Sequence, residues 1–247
     1  MAFAFKSDSE RPLAAVSRAT RWVLLVALGV QLAWQALSPN PTANATQLGM
    51  PADTNWFHAA SLGEPIPLAH LSVLYLQAFD NQPGISIPYR ELDYGSVQAW
   101  LKRALELDPE GQYPLMMAAQ LYAQVPDEAK QRQMLAFVHR EFMRDPDRRW
   151  RWLAHAAIVA KHRLKDMPLA LRYAEDITRY ASSALHWARQ MRIFILEDMG
   201  EAQAAAVLLG GLLASGEVMD AAEIRFLTER LERLKSVEKS SKASEFR

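Results

Sequence analysis

Six histidines, a run of arginines beside two tryptophans, and two adjacent carboxylate pairs are the side chains here best equipped for chemistry. The histidines are His58, His70, His139, His155, His162 and His186. His155 and His162 are spaced to share one face of a helix, but their separation corresponds to a rise of about 10 Å, too far for both to bind one ion directly. Glu175-Asp176 and Glu197-Asp198 are sequence neighbours, which point in different directions on a helix and cannot face one substrate together. Glu217, Asp220 and Glu223 flank a helix start, where acids suit the helix dipole. Ser61, in A-A-S-L-G-E, lacks the flanking glycine of a nucleophile elbow, and no zinc-protease, phosphate-loop or dinucleotide motif occurs. The chain has no cysteine, which excludes thiolate nucleophiles, disulfides and cysteine-ligated zinc. The expectation is therefore a protein that is not an enzyme, with no catalytic residue, metal or cofactor.

Binding is the better use for what remains. The run at 147–152 reads D-R-R-W-R-W and contributes Arg148, Arg149, Trp150 and Arg151. Arginines at a helix start oppose its dipole, so the helix gains nothing from them there. With Lys130, Arg132, Arg140, Arg144, Lys161, Arg163 and Lys165 they make the centre of the chain basic, opposed only by Glu141, Asp145 and Asp147. Two readings stand. One is a patch for an anionic partner, such as an acidic protein segment, lipid headgroups or an envelope polymer. The other is a solvated face, with Trp152 in the core and arginine stems packed on Trp150. Over the whole chain 28 Lys+Arg balance 28 Asp+Glu, which argues with the lack of a base-stacking motif against nucleic acid.

The elements that must hold these residues are helices. Within 93–109 (D-Y-G-S-V-Q-A-W-L-K-R-A-L-E-L-D-P), Val97, Trp100, Leu101, Ala104, Leu105 and Leu107 recur at helical spacing, with Lys102, Arg103 and Glu106 on the wet face. Asp108-Pro109 closes the segment, because proline disfavours helical geometry in the residue before it. Similar patterns place helices at 68–79, 112–124, 128–144, 148–163, 166–180, 186–199, 201–214 and 220–235. The last is built on Ile224, Leu227, Leu231 and Leu234. An Asp-Pro stop recurs at 145–146, and the helix ends near Tyr180 and Ser215 keep a period close to that spacing.

The 93–109 segment resembles the second helix of a tetratricopeptide (TPR) repeat, D-Y-x-x-A-x-x-x-x-x-x-A-L-x-L-D-P, with Val97 at the usual alanine. Leu115, Ala118, Ala119 and Tyr122 fit the large, medium, small and aromatic positions of a first helix. So, in the next pair, do Trp152, Ala156 and Val159, followed by Asp166, Ala170, Tyr173 and Ala174. The resemblance implies an all-α, TPR-like α-solenoid over 68–235, of about four helical hairpins plus a C-terminal capping helix, with a unit of about 34 residues. It also implies a concave groove for an extended peptide or partner helix, carried by Tyr113, Met116, Gln120, His155 and Arg189. The connection at 80–92 is too long for such a hairpin. Its alternating Ile85, Ile87 and Tyr89, after a Pro83-Gly84 turn, either run extended along a groove or pack back as a plug for the first hairpin.

Before this domain come a polar segment at 1–21 and an apolar one at 22–38, with no charge between Arg21 and Asp53 and with Trp22 and Trp34 near its ends. The apolar segment is read as a single transmembrane signal-anchor helix; a cleaved signal peptide with a site at Ala43-Asn44-Ala45, or a buried soluble helix, are the alternatives. Basic residues precede the span, so the positive-inside tendency leaves 1–21 in the cytoplasm and exports the rest. In a bacterium that means one helix in the inner membrane and a periplasmic domain. Residues 39–67 read as a Pro-rich tether containing an Asn44-Ala45-Thr46 glycosylation pattern of little weight, with Trp56, Phe57 and Leu62 interrupting its polarity and leaving open that part of it lies on the folded domain, and 236–247 as a disordered tail. The expected function is a membrane-anchored adaptor that binds a partner protein of the cell envelope and helps assemble a membrane or envelope complex. The alternative is a fixed structural or regulatory subunit of one membrane complex.

Overall fold

The computed structural model describes residues 17–37, 46–82, 84–216 and 218–245. Most of 1–21, the Ala43-Asn44-Ala45 and Asn44-Ala45 positions, Pro83 and Glu217 lie outside the described residues. The chain divides into two compact units, Met1–Asn44 and Ala45–Arg247, and its described residues form eleven α-helices and one two-stranded ribbon.

The first unit contributes α1 (Arg18–Leu37), a helix of 20 residues with no buried side chain. It begins before the expected start at Trp22. Arg18 and Arg21 occupy its first turn, where long basic side chains can reach toward water. At 1.5 Å per residue its length is about 30 Å, matching a bilayer's hydrocarbon thickness. One helix near the N-terminus is thus long and apolar enough to cross a membrane.

The second unit runs α2 (Thr54–Ala60), α3 (Pro65–Ala78), β1 (Asn81–Gln82), β2 (Ile85–Ser86), a 3-10 turn (Tyr89–Glu91), α4 (Tyr94–Leu107), α5 (Tyr113–Gln120) and a second 3-10 turn (Tyr122–Gln124). It continues with α6 (Glu128–Phe142), α7 (Pro146–His162), α8 (Met167–Tyr180), α9 (His186–Asp198), α10 (Ala202–Ser215) and α11 (Ala221–Glu245). Consecutive helices pack as neighbours, and α5 also packs on α7 while α4 packs on α6. The apolar positions that carried the helical period are the core: Val97, Leu101, Leu115, Ala118, Ala119, Tyr122, Ala156, Ala170 and Ala174 are all inaccessible to solvent. Small residues at 118, 119, 156, 170 and 174 let helix axes approach closely, and the aromatic rings fill the space between them.

Aspartates start the helices. Asp93, Asp127, Asp145 and Asp166 each accept a backbone N–H from the first turn of α4, α6, α7 and α8, satisfying donors that the helix leaves orphaned. Asp145-Pro146 therefore opens α7, with proline in its first turn, where its missing N–H costs nothing, rather than merely closing α6. The helix expected over 112–124 ends at Gln120 and tightens into a 3-10 turn, because Pro126 holds Val125 extended at φ −64°, ψ 149°.

Two further segments take definite form. Part of 39–67 lies on the folded domain, the alternative that Trp56, Phe57 and Leu62 leave open. Pro65 begins α3 instead of breaking it, Asp53 caps α2, and Leu48 and Phe57 are buried. The Trp100 indole donates to Gly49 O at 2.8 Å, and the Gln82 amide both accepts from Thr46 N (3.0 Å) and donates to Thr46 O (3.1 Å), like an added rung of ribbon. Residues 236–245 are not irregular either, since the backbone of α11 continues to Glu245; no proline or glycine interrupts it there.

Replacing Asp166 by alanine removes the cap on Leu169 N (3.0 Å) and should cost about 1 kcal/mol. Urea unfolding should show a lower midpoint with an unchanged slope.

Candidate functional site

The expected groove residues occupy the row of helices α3, α5, α7 and α9. Tyr113, Met116 and Gln120 follow one face of α5, with Tyr113 and Gln120 exposed and Met116 half-buried. Gln77 of α3 donates to the Tyr113 hydroxyl, and the Trp152 indole of α7 donates to Gln112 Oε1 at 2.7 Å. His155 is half-buried on α7, with Nε2 3.4 Å from the Gln124 amide, and burial lowers its pKa. Arg189 stands apart from these. It borders a cavity of about 270 Å³ between α8, α9 and α10, with Arg192, Val207 and Leu212 on the walls. Tyr113 borders a smaller one of about 80 Å³, under α3 and α4. The first four residues thus share a continuous helical row, and Arg189 belongs to a separate recess.

The basic run is not a free patch. Arg149 is 5% exposed and Glu141 3%; Arg149 Nη1 donates to Glu141 Oε2 at 3.1 Å and to Glu141 O at 2.8 Å, and Nη2 donates to Pro109 O at 3.2 Å. Burial draws the Arg149 guanidinium below its ordinary pKa, against the pull of Glu141. Arg148 pairs with Glu110 (3.0 Å) and Asp145 (2.9 Å). Trp150 is buried and Trp152 half-buried, the reverse of the expected order, because Trp150 turns toward Trp187 of α9 at 5.7 Å between ring centroids. Arg148 and Arg151 stay exposed, the Arg151 guanidinium 5.7 Å from the centre of the Trp150 ring. Elsewhere in the basic centre Arg132 pairs with Glu128 and Asp166, Arg144 with Glu141, and Lys161 with Asp198. Of these pairs Arg149–Glu141 is buried, and those of Arg132, Arg144 and Arg148 lie at the surface.

The 80–92 connection folds back onto the domain. Tyr89 packs edge-on against Tyr122 at 5.6 Å, and Ile87 lies against the main core. Ile85 and Ile87 line a cavity of about 710 Å³ with Leu48, Phe79, Tyr94 and Lys130. Lys130 Nζ donates to the carbonyls of Arg90 and Leu92, pinning the end of the connection to α6. This is the plug arrangement, with a cleft left beneath it.

Sequence reasoning missed the Glu141–Arg149 pair, though a lone acid eight residues before the arginine was its available signal. Among the described residues no group of three or more His, Asp or Glu is placed to hold a metal.

Two outcomes follow from the buried groups. Glu141→Ala should destabilise by about 3–5 kcal/mol, since it strands a buried cation, whereas the Glu141→Met/Arg149→Met double variant should lose clearly less; urea unfolding of both decides. The lowered pKa of His155 means the unfolded chain takes up its proton first. Its contribution to stability is present above about pH 6.5 and falls as the pH drops below that value. A His155→Gln variant should lose that part of the Tm decline between pH 7 and 5. No family model, curated protein or solved structure matches the chain.

Proposed function

We propose that the chain is a membrane-anchored, exported TPR-like adaptor that presents the α3–α5–α7 row to a partner protein of the cell envelope. The observation that carries this reading is the period of the contacts between hairpins. Side-chain bonds join residues 36 apart (Gln77 to Tyr113), 35 (Gln98 to Gln133), 34 (Arg132 to Asp166), 37 (His139 to Asp176) and 33 (Arg230 to Glu197). Each element thus touches the corresponding element of the next pair, as in a stack of repeats in which every unit contacts only its neighbours. Such stacks make extended rows of exposed side chains, and recognition of an extended segment or helix is the use that geometry serves.

The helix α1 supports the anchor, and the basic residues before it support export of the domain. The partner proposed is a protein, since Arg149 is paired inside the domain and Arg132, Arg144 and Arg148 each face a carboxylate at the surface. A photo-crosslinking residue at Tyr113 or Gln120 in the full chain, expressed in its own membrane, should trap one partner, while the same residue at exposed Glu175 on α8 should not. Equal trapping from both positions overturns the row as the binding face. A reporter fused after Lys235 should be active only outside the cytoplasm; cytoplasmic activity overturns the topology.

A further inference from the structure

The helix α3 buries Ala69, Ser72, Val73 and Leu76, yet its opposite face is also apolar. Ile66, Leu71, Leu74 and Tyr75 are exposed there, Leu71 at 60% and Leu74 at 58%. A helix apolar all round belongs in an interior, and a terminal unit of a stack needs a polar outer side. The other end is mixed: α11 turns Arg225, Glu229, Glu232 and Arg233 outward, with Ile224 and Phe226 exposed among them. At the α3 end, the apolar surface continues instead onto α2, where Trp56 is exposed, and onto the α2–α3 turn. There Leu62 is 92% exposed and held at φ +51°, a left-handed conformation that costs a leucine about 1–2 kcal/mol. A strained turn that pushes an aliphatic side chain into water is unexplained by the packing of the domain.

We propose that this face of α2 and α3 docks on the lipid surface, with Leu62, Leu71 and Leu74 entering the headgroup–acyl boundary. The proposal rests on the reading of α1 as a membrane anchor. Three observations favour lipid over a second copy or a protein partner. Eight residues, 38–45, separate Leu37 from Thr46 in sequence, and a link of that length spans at most about 30 Å, so the bilayer surface is within reach. No lysine or arginine occurs between Arg21 and Arg90, and the exposed titratable groups of α2, α3 and their caps are Asp53, His58, Glu64, His70 and Tyr75, so no lysine or arginine has to be buried. Trp56 and Tyr75 are the amphipathic rings that favour the membrane–water interface. Apolar area combined with aromatic anchoring is what holds interfacial helices to a bilayer.

The chain has no cysteine, so single labels are clean. The full chain would be reconstituted in phosphatidylcholine/phosphatidylglycerol vesicles with one spin label at Leu62→Cys, Leu74→Cys, Val26→Cys or Glu229→Cys. Labels at 62 and 74 should collide with oxygen in preference to a water-soluble nickel chelate, as the label at 26 does, and the label at 229 should show the reverse. Nickel-accessible labels at 62 and 74 with a lipid-facing label at 26 overturn the docking and leave the anchor standing. A nickel-accessible label at 26 overturns the anchor itself. A label at 74 shielded from both quenchers, or broadened by a second label, overturns lipid in favour of a copy of the chain. All four substituted side chains are exposed, and unchanged urea midpoints confirm that the labelled variants fold.

Discussion

Arg149 holds the middle of the domain in register. Its guanidinium leaves the start of α7 and reaches the Pro109 carbonyl just beyond α4 and the carbonyl and carboxylate of Glu141 on α6. Three helix pairs therefore share one directional contact, where the surrounding interface is apolar and indifferent to small sliding. Removing two charges from water costs as much as their attraction returns, so the pair is not what makes the domain stable. Its effect is to penalise every arrangement in which Pro109, Glu141 and Arg149 do not meet. The guanidinium Nε finds no acceptor, which shows how little room the three backbones leave it.

Away from that centre the packing thins toward the C-terminal helices. Consecutive helices pack on one another, so the last helices have a neighbour on one side alone. On α9, Ile195 faces the main core while Ile193 faces a second, smaller one built with Ala205, Leu209, Leu227 and Leu234. The helix α10 buries only Ala205 and Leu209 and has no side-chain cap at its start. It also carries Gly210 and Gly211, where an added Cβ would meet nothing, so these glycines forgo helix propensity without enabling a close contact. Local opening is cheapest where buried contacts are fewest, and that places it at the 270 Å³ recess beside α10.

Most of the helices were legible because burial on one face leaves a period in the sequence. Val97 through Leu107, Leu115 through Tyr122 and Ala170 through Ala174 went to the interior as their spacing required. What was not legible depended on which way a polar side chain turned. The same arginine run is consistent with an anion-binding face or with internal pairing, and only the positions of Glu110, Glu141 and Asp145 decide between them. Trp150 and Trp152 differ by two positions, about 200° around a helix, so a small error in the assumed facing exchanged the buried ring for the half-buried one. The prolines misled for a different reason. Proline ends a helix in sequence terms but also starts one, and at 65 and 146 the local residues before it, Glu64 and Asp145, hold cap positions.

That second role of proline changes where the folded unit begins. If 39–67 were a free tether, the first hairpin would end on bare α3, and Trp100 would have no partner for its indole N–H. With Gly49, Phe57 and Tyr75 gathered around Trp100, the segment from Thr46 becomes the first layer of the stack. A first layer normally turns charge outward. This one turns leucine, tryptophan and tyrosine outward, over a length of chain from which lysine and arginine are missing altogether. An edge of that composition would cost solubility if it faced water, and the cost disappears only where something apolar covers it. That edge, and not the helix periods that fill the core, is the feature the packing of the domain leaves without a reason.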